Sequence, residues 1–368
     1  MAALPLNLKQ GSAVHRAIQA VVVLALVLFA LRAATTWNRS GLSLLTDALI
    51  IAIAVTGLNL LVGFTGQISI GHSAFFGIGA YTTAILVDTY GWSPGWTFFP
   101  SVAVCFVVGV VVGLPALRLK GIYLALVTLA LAVAFPSLLN RYESVTGGAE
   151  GIKGLRYLPP SWTGLEGRSD LAVWFFWLAL GLLLITSLMA RNLLRSRVGR
   201  SMIATRDNET AAEVMGVNIA LVKTGVFGVS AAMAGLAGSV FALKLTLVDP
   251  TLFTLILSIE LLVGMVIGGA ALLWGPIVGS LVLVYGRDLA KSIGEDNNID
   301  GLGGIMFGVL LIVLMFAAPQ GLVGLWRRLR IKVVRILPKP PVSAAPPPTP
   351  SVDSHEPALV AAPADPDQ

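Results

Sequence analysis

The stretch Gly63-Phe64-Thr65-Gly66-Gln67-Ile68-Ser69-Ile70-Gly71-His72-Ser73 sets hydroxyls, an amide and an imidazole between two apolar runs. These groups suit recognition better than reaction. Thr65, Gln67, Ser69 and Ser73 can hydrogen-bond an ammonium or a carboxylate, and they can equally satisfy interrupted backbone. Gly63, Gly66 and Gly71 allow backbone to approach a ligand closely. His72 has three readings: a ligand-binding group, a proton carrier, or a hydrogen-bonded structural residue, the last being the default for a lone histidine. Glu260 lies inside an apolar run, where an acid is costly and either pairs with a neighbouring helix or serves a substrate path. Asp47 is nearer the end of its run and suits an interface. No paired carboxylates and no nucleophile–base arrangement support catalysis. The three histidines, His15, His72 and His355, are scattered and Cys105 is alone, so neither a metal cluster nor a disulfide framework is expected.

The elements that must position these residues are membrane helices. Hydrophobic residues make up 56% of the chain, charged residues 12%, and the mean hydropathy is +0.85. A soluble domain carries about 25% charged residues. The net charge of +6 sits in loops and a tail, which suits an anionic leaflet and not a nucleic acid. Apolar runs at 18–35, 43–62, 95–117, 120–140, 170–190, 222–243, 253–273 and 302–319 are long enough to span, and shorter Gly-interrupted runs lie at 71–87 and 275–288. The expected fold is an all-α polytopic membrane bundle of about eight to ten transmembrane segments with broken helices at its core. A cleaved N-terminal signal is the alternative for Lys9, Arg16 and the first run, but the runs that follow favour a first membrane helix. Residues 1–17 then form a cytoplasmic N-terminus, 18–339 the membrane domain, and the Pro/Ala-rich 340–368 a disordered cytoplasmic tail. The larger share of Lys and Arg falls on the side of both termini, giving N-in and C-in, although the loop at 141–169 holds basic residues on the other side.

Small residues repeat at four-residue spacing in Gly109/Gly113, Gly264/Gly268, Gly275/Gly279, Gly304/Gly308 and the stripe Ser230, Ala234, Gly238. Such spacing lets helix backbones touch in lipid, so these are packing faces. Residues 63–81 and 264–279 both mix glycines with a short apolar run, and paired breaks point to a site at a repeat interface.

The segment 191–222 is too charged for the bilayer. Asp207 or Asn208 can cap a short helix, Glu209 and Glu213 share a face near its positive end, and Ala211, Ala212, Val214 and Met215 form the other. Gly216 is a usual stop. Such a helix, entered through Arg206, can dock in a partner's groove. Ala211-Ala212, three residues, then Gly216 resembles the coupling motif of ABC importer permeases. That motif has Glu directly before the alanines; here Thr210 stands there and Glu209 comes one residue early. More specifically, the chain resembles permeases of the branched-chain amino-acid ABC importers. The resemblance rests on Gly57-Leu-Asn-Leu-Leu-Val-Gly63-Phe-Thr-Gly66-Gln-Ile-Ser-Ile-Gly71-His72, Leu117 to Thr128, Thr146-Gly147-Gly148-Ala-Glu-Gly151, the charged segment, and Ser258-Ile-Glu260 to Trp274-Gly275-Pro276, in order.

That resemblance implies a second, related permease, two cytoplasmic ATP-binding subunits and an external substrate-binding protein. It implies an inner-membrane location, with hydrophobic amino acids as cargo. No Gly-x-x-x-x-Gly-Lys-Ser/Thr loop occurs, so the chain is expected to bind no cofactor and to rely on ATP in its partners. Urea or short amides as cargo, and a self-sufficient secondary transporter using His72 and Glu260, are the alternative readings.

Overall fold

The computed structural model describes residues 6–9, 32, 34, 37–115, 121–153, 159, 170–245, 247–296, 302–318 and 320–337. The first apolar run at 18–35 except residues 32 and 34, the loop at 154–169 except residue 159, and the tail at 340–368 thus lie outside the described residues. The chain forms two compact units, one of residues 1–24 with 331–368 and one of residues 25–330. In the smaller unit Leu6–Lys9 (β1) pairs in parallel with Val334–Leu337 (β4), with Leu6 opposite Val334. No pattern in the sequence announced that pairing.

The larger unit is a helical bundle. Arg39–Leu58 (α1) begins at Asn38, whose side chain accepts from the Gly41 N–H, and ends in a π-helical turn, Asn59–Phe64. His72–Asp88 (α2), Phe98–Gly113 (α3), Ile122–Arg141 (α4) and the short Glu143–Thr146 (α5) follow. A two-residue antiparallel ladder joins Ile152–Lys153 (β2) to Leu247–Val248 (β3). Asp170–Arg195 (α6) leads into Arg197–Asp207 (α7) and Glu209–Val214 (α8). Ile219–Lys244 (α9), Leu255–Gly268 (α10), Gly275–Asp296 (α11), Leu302–Ala317 (α12) and the part of Gly321–Val333 (α13) up to residue 330 complete it. Among the described residues five helices are long and apolar enough to cross a membrane: 39–64, 94–113, 122–141, 170–195 and 219–244. This is a polytopic helical membrane bundle.

The central element is α9, most of which is buried. Its small residues permit that. A Cβ at Gly238 would overlap the Phe76 carbonyl, one at Gly79 the Gly235 backbone, and one at Gly109 the Ala231 side chain. The Gly264/Gly268 and Gly275/Gly279 pairs meet each other across α10 and α11. Among the described residues nothing lies within 4 Å of a Cβ built at Gly304 or Gly308. Four-residue spacing makes close approach possible but does not supply the neighbour.

Two expected interruptions are narrower than their glycine content implied. Residues 72–88 run as one helix, so the first break is confined to 65–71. Its glycines Gly77 and Gly79 serve close packing, with Gly77 against Phe135 and Phe253. Residues 275–296 are also continuous, and the second break lies at 269–274.

Candidate functional site

Four polar contacts give the direction of α1 against α9. Lys244 Nζ pairs with Asp47 Oδ1 at 2.6 Å and donates to the Ser43 carbonyl at 2.9 Å. Ser230 donates to the Gly57 carbonyl at 2.6 Å, and Gln67 Nε2 donates to the Lys223 carbonyl at 3.3 Å. The two helices are therefore antiparallel. The first break consequently begins near the end of the bundle that carries α7 and α8, at Lys223, and runs inward to Ser230 in the middle of α9. Its backbone is irregular where the apolar runs give way to the charged segment.

The predicted polar residues of the first break are brought together and mostly satisfied by the protein. Thr65 donates to the Leu61 carbonyl and accepts from Gln67 Nε2 at 3.1 Å. Gln67 Oε1 is buried and has no hydrogen-bond partner among the described residues. His72 is fully buried, with Ser69 Oγ 3.1 Å from Nδ1 and Ser230 Oγ 2.8 Å from Nε2. Both ring nitrogens are thus engaged, which supports the structural reading of His72 over a proton carrier. The Ser73 N–H donates to Ser258 Oγ at 2.8 Å, and the Ser258 hydroxyl donates back to Ser73 Oγ at 2.7 Å. Thr128 Oγ1 takes the Ile70 N–H at 2.9 Å, and Gly71 packs on the Thr128 carbonyl. Gly66 (φ 71) is exposed and touches Arg206. Glu260 is not among this group. It pairs with Arg287 on α11, with Oε1 3.0 Å from Nη1.

Asn59 was not singled out from the sequence, yet it joins the two breaks. Its Nδ2 donates to the Leu272 carbonyl at 2.9 Å, and its Oδ1 accepts from the Ala271 N–H at 2.8 Å. Ala271 has φ 59, a conformation costly for a residue with a Cβ. The Asn59 amide holds that turn. Asn59→Ala is expected to cost about 1–2 kcal/mol, since two half-buried backbone groups lose their partner. Reaction of the lone buried thiol, Cys105, with a dye during heating measures it; an unchanged midpoint contradicts this role. The available signal was a polar residue inside an apolar run.

The charged segment folds as two helices where one short helix was expected. Asp207 ends α7, and Asn208 caps α8 by accepting the Ala211 N–H at 3.0 Å. Gly216 stops it with φ 83. Ala212 is buried, while Ala211, Glu213, Val214 and Met215 are exposed, the last two at 82% and 83%. Glu209 turns inward to Lys223, Oε1 to Nζ 2.6 Å. Glu209 and Glu213 thus do not act together, because Lys223 is buried at the start of α9 and needs a counter-charge. Arg206 reaches the first break: its Nη1 donates to the Gly63 carbonyl at 3.1 Å, while Nε and Nη2 both donate to Asp207 Oδ1 at 3.0 Å. A cation thereby satisfies a carbonyl left open at a helix end.

A multi-pass bundle with two facing helix breaks and a charged elbow touching one of them defines a membrane transport protein. The family model described as branched-chain amino acid transport system / permease component matches residues 40–318. The chain belongs to that family. It is 31% identical to the high-affinity branched-chain amino acid transport system permease protein LivM of Salmonella typhimurium, covering 85% of this chain and 77% of that protein. It is 25% identical to the probable branched-chain amino acid transport permease protein LivH of Methanocaldococcus jannaschii, over 76% of this chain and 91% of the relative. The autoinducer 2 import system permease protein LsrC of Salmonella paratyphi B is 30% identical over 50% of this chain and 53% of its own length. No solved structure matches.

Proposed function

We propose that this chain is one permease subunit of an ATP-driven importer of branched-chain amino acids in a bacterial inner membrane. The observation that carries the reading is the pair of contacts from elbow to break. Arg206 holds the Gly63 carbonyl, and Glu209 holds Lys223, whose own carbonyl accepts from Gln67. A displacement of α7 is therefore delivered directly to Gly63, and one of α8 reaches Gln67 through Lys223. Ala211, Glu213, Val214 and Met215 form the exposed face that a cytoplasmic ATP-binding subunit would push. A second related permease, two such ATP-binding subunits and an external binding protein complete the machine. The chain itself supplies no phosphate-binding loop and holds no cofactor. The cytoplasmic side is then the elbow side, with N-in and C-in, residues 1–17 and 340–368 in the cytosol, and 18–339 as the membrane domain carrying the 191–222 elbow. Alternating access follows if the two breaks, joined by Asn59, shift together. Thr65, Gln67, Ser69, Ser73 and the glycines around them line the moving part, with His72 as its fixed post.

The test is uptake of labelled leucine by vesicles holding this chain and its co-expressed partners. Uptake should need ATP, and valine, not urea, should compete. Ala211→Trp changes an exposed position and should lower coupled uptake about tenfold or more with folding unchanged. Gly216→Pro should also uncouple, because proline cannot adopt φ 83. Uptake by this chain alone without ATP would refute the reading in favour of a secondary transporter, and competition by urea alone would move the cargo to amides.

A further inference from the structure

Helix α13, Gly321–Val333, follows the last apolar helix and reads GLVGLWRRLRIKV, with no acidic residue. Leu322, Leu325, Trp326, Leu329 and Val333 recur at three- and four-residue spacing, which puts them on one stripe of a helix. Arg327, Arg328, Arg330 and Lys332 occupy four of the five remaining positions of its second half, and Ile331 the fifth. Leu325 is 39% exposed and Trp326 61% exposed, and Arg327 and Arg328 are exposed beside them. The start of the helix is instead held fast. Gly321 (φ 73) is buried, and a Cβ there would overlap the backbone of Gly269, at the second break.

We propose that α13 lies on the surface of an anionic bilayer, its leucine and tryptophan side chains in the boundary between headgroups and acyl chains and its arginines against lipid phosphates. Apolar burial alone would suit any greasy surface. The run of cations flanking the stripe selects a negative one, since each basic side chain near such a surface gains energy from its potential. A protein groove would have to be both apolar and strongly acidic to match. Because α13 starts against the 269–274 turn, the charge of the leaflet bears on the same break that Asn59 ties to the first. Lipid charge thereby becomes an input to the bundle. The inference does not depend on the cargo or on ATP.

The full chain carrying Leu325→Cys, labelled with an environment-sensitive fluorophore, is reconstituted into vesicles; Cys105 is fully buried and stays unlabelled. Quenching by brominated lipid should be about twofold or more stronger in vesicles with about 30% phosphatidylglycerol than in pure phosphatidylcholine. Raising salt to about 0.5 M should remove the difference, because screening shortens the reach of the surface potential. Arg327→Gln, Arg328→Gln, Arg330→Gln and Lys332→Gln together should abolish it, while Arg327→Lys with Arg328→Lys should keep it. Equal quenching in both lipids overturns the proposal, as does full charge dependence in the neutralised variant. A label shielded from brominated lipid in every vesicle overturns it too, and shows that protein covers the helix.

Discussion

Glu209→Ala is expected to lower the unfolding free energy by about 2–4 kcal/mol, and adding Lys223→Met to return most of the loss. The Lys223 side chain is only 5% exposed and its ammonium sits 2.6 Å from Glu209 Oε1. Removing the acid leaves a charge with almost no solvent and no partner. The Glu209 side chain is 33% exposed, so water can move in partially, and the loss stays below the full penalty of a deeply buried pair. Methionine has nearly the length of lysine without the charge, so the double variant buries an apolar chain where an orphaned cation stood. Dye labelling of Cys105 during heating reads all variants against the parent. A neutral Glu209→Ala, or a double variant whose losses simply add, refutes the pairing. The double variant also separates stability from coupling. It should fold nearly as the parent does yet import leucine poorly, because the tie between α8 and α9 is gone.

Gly238→Leu is expected to cost about 3 kcal/mol or more, and Gly304→Leu in the isolated chain less than about 0.5 kcal/mol. Both glycines sit in small-residue repeats of four-residue spacing, yet their surroundings in space are opposite. At Gly238 a side chain would enter the Phe76 carbonyl, and Gly79 meets Gly235 on the same crossing of α2 and α9. The helices cannot separate without also breaking the contact between Thr83 and Ser239 and the bond from His72 to Ser230. Around Gly304 nothing among the described residues lies within 4 Å of a built Cβ. Comparable thermal midpoints for the two variants would show that the α2–α9 crossing is not the tight one.

Much of this architecture was legible in the residues. The apolar runs became helices because nothing else satisfies backbone in lipid. The stripe Ser230, Ala234, Gly238 lies on the buried side of α9, and the Gly264–Gly279 pairs interlock. The elbow's stop at Gly216 and its cap at Asn208 follow from backbone conformation and side-chain chemistry that are local, so short-range sequence carried them. What stayed hidden was pairwise and distant. Glu209 looked like a surface acid because its partner is Lys223, on the next membrane helix, a residue whose charge bears on orientation but whose pairing no spacing names. Glu260, expected to pair with a neighbouring helix or to serve the path, has Arg287 as its partner, which no spacing names. The parallel pairing of Leu6–Lys9 with Val334–Leu337 joins opposite ends of the chain, where periodicity has nothing to say.

The bridge from Asn59 to Leu272 spans 213 positions of sequence. During synthesis at about 5–20 residues per second, the early half waits roughly 10–40 s before its counterpart leaves the ribosome. Throughout that interval the amide of Asn59 must find a temporary host, in the insertion machinery or in water drawn toward the membrane. Replacing this asparagine by an apolar residue would therefore ease biogenesis while weakening the finished bundle.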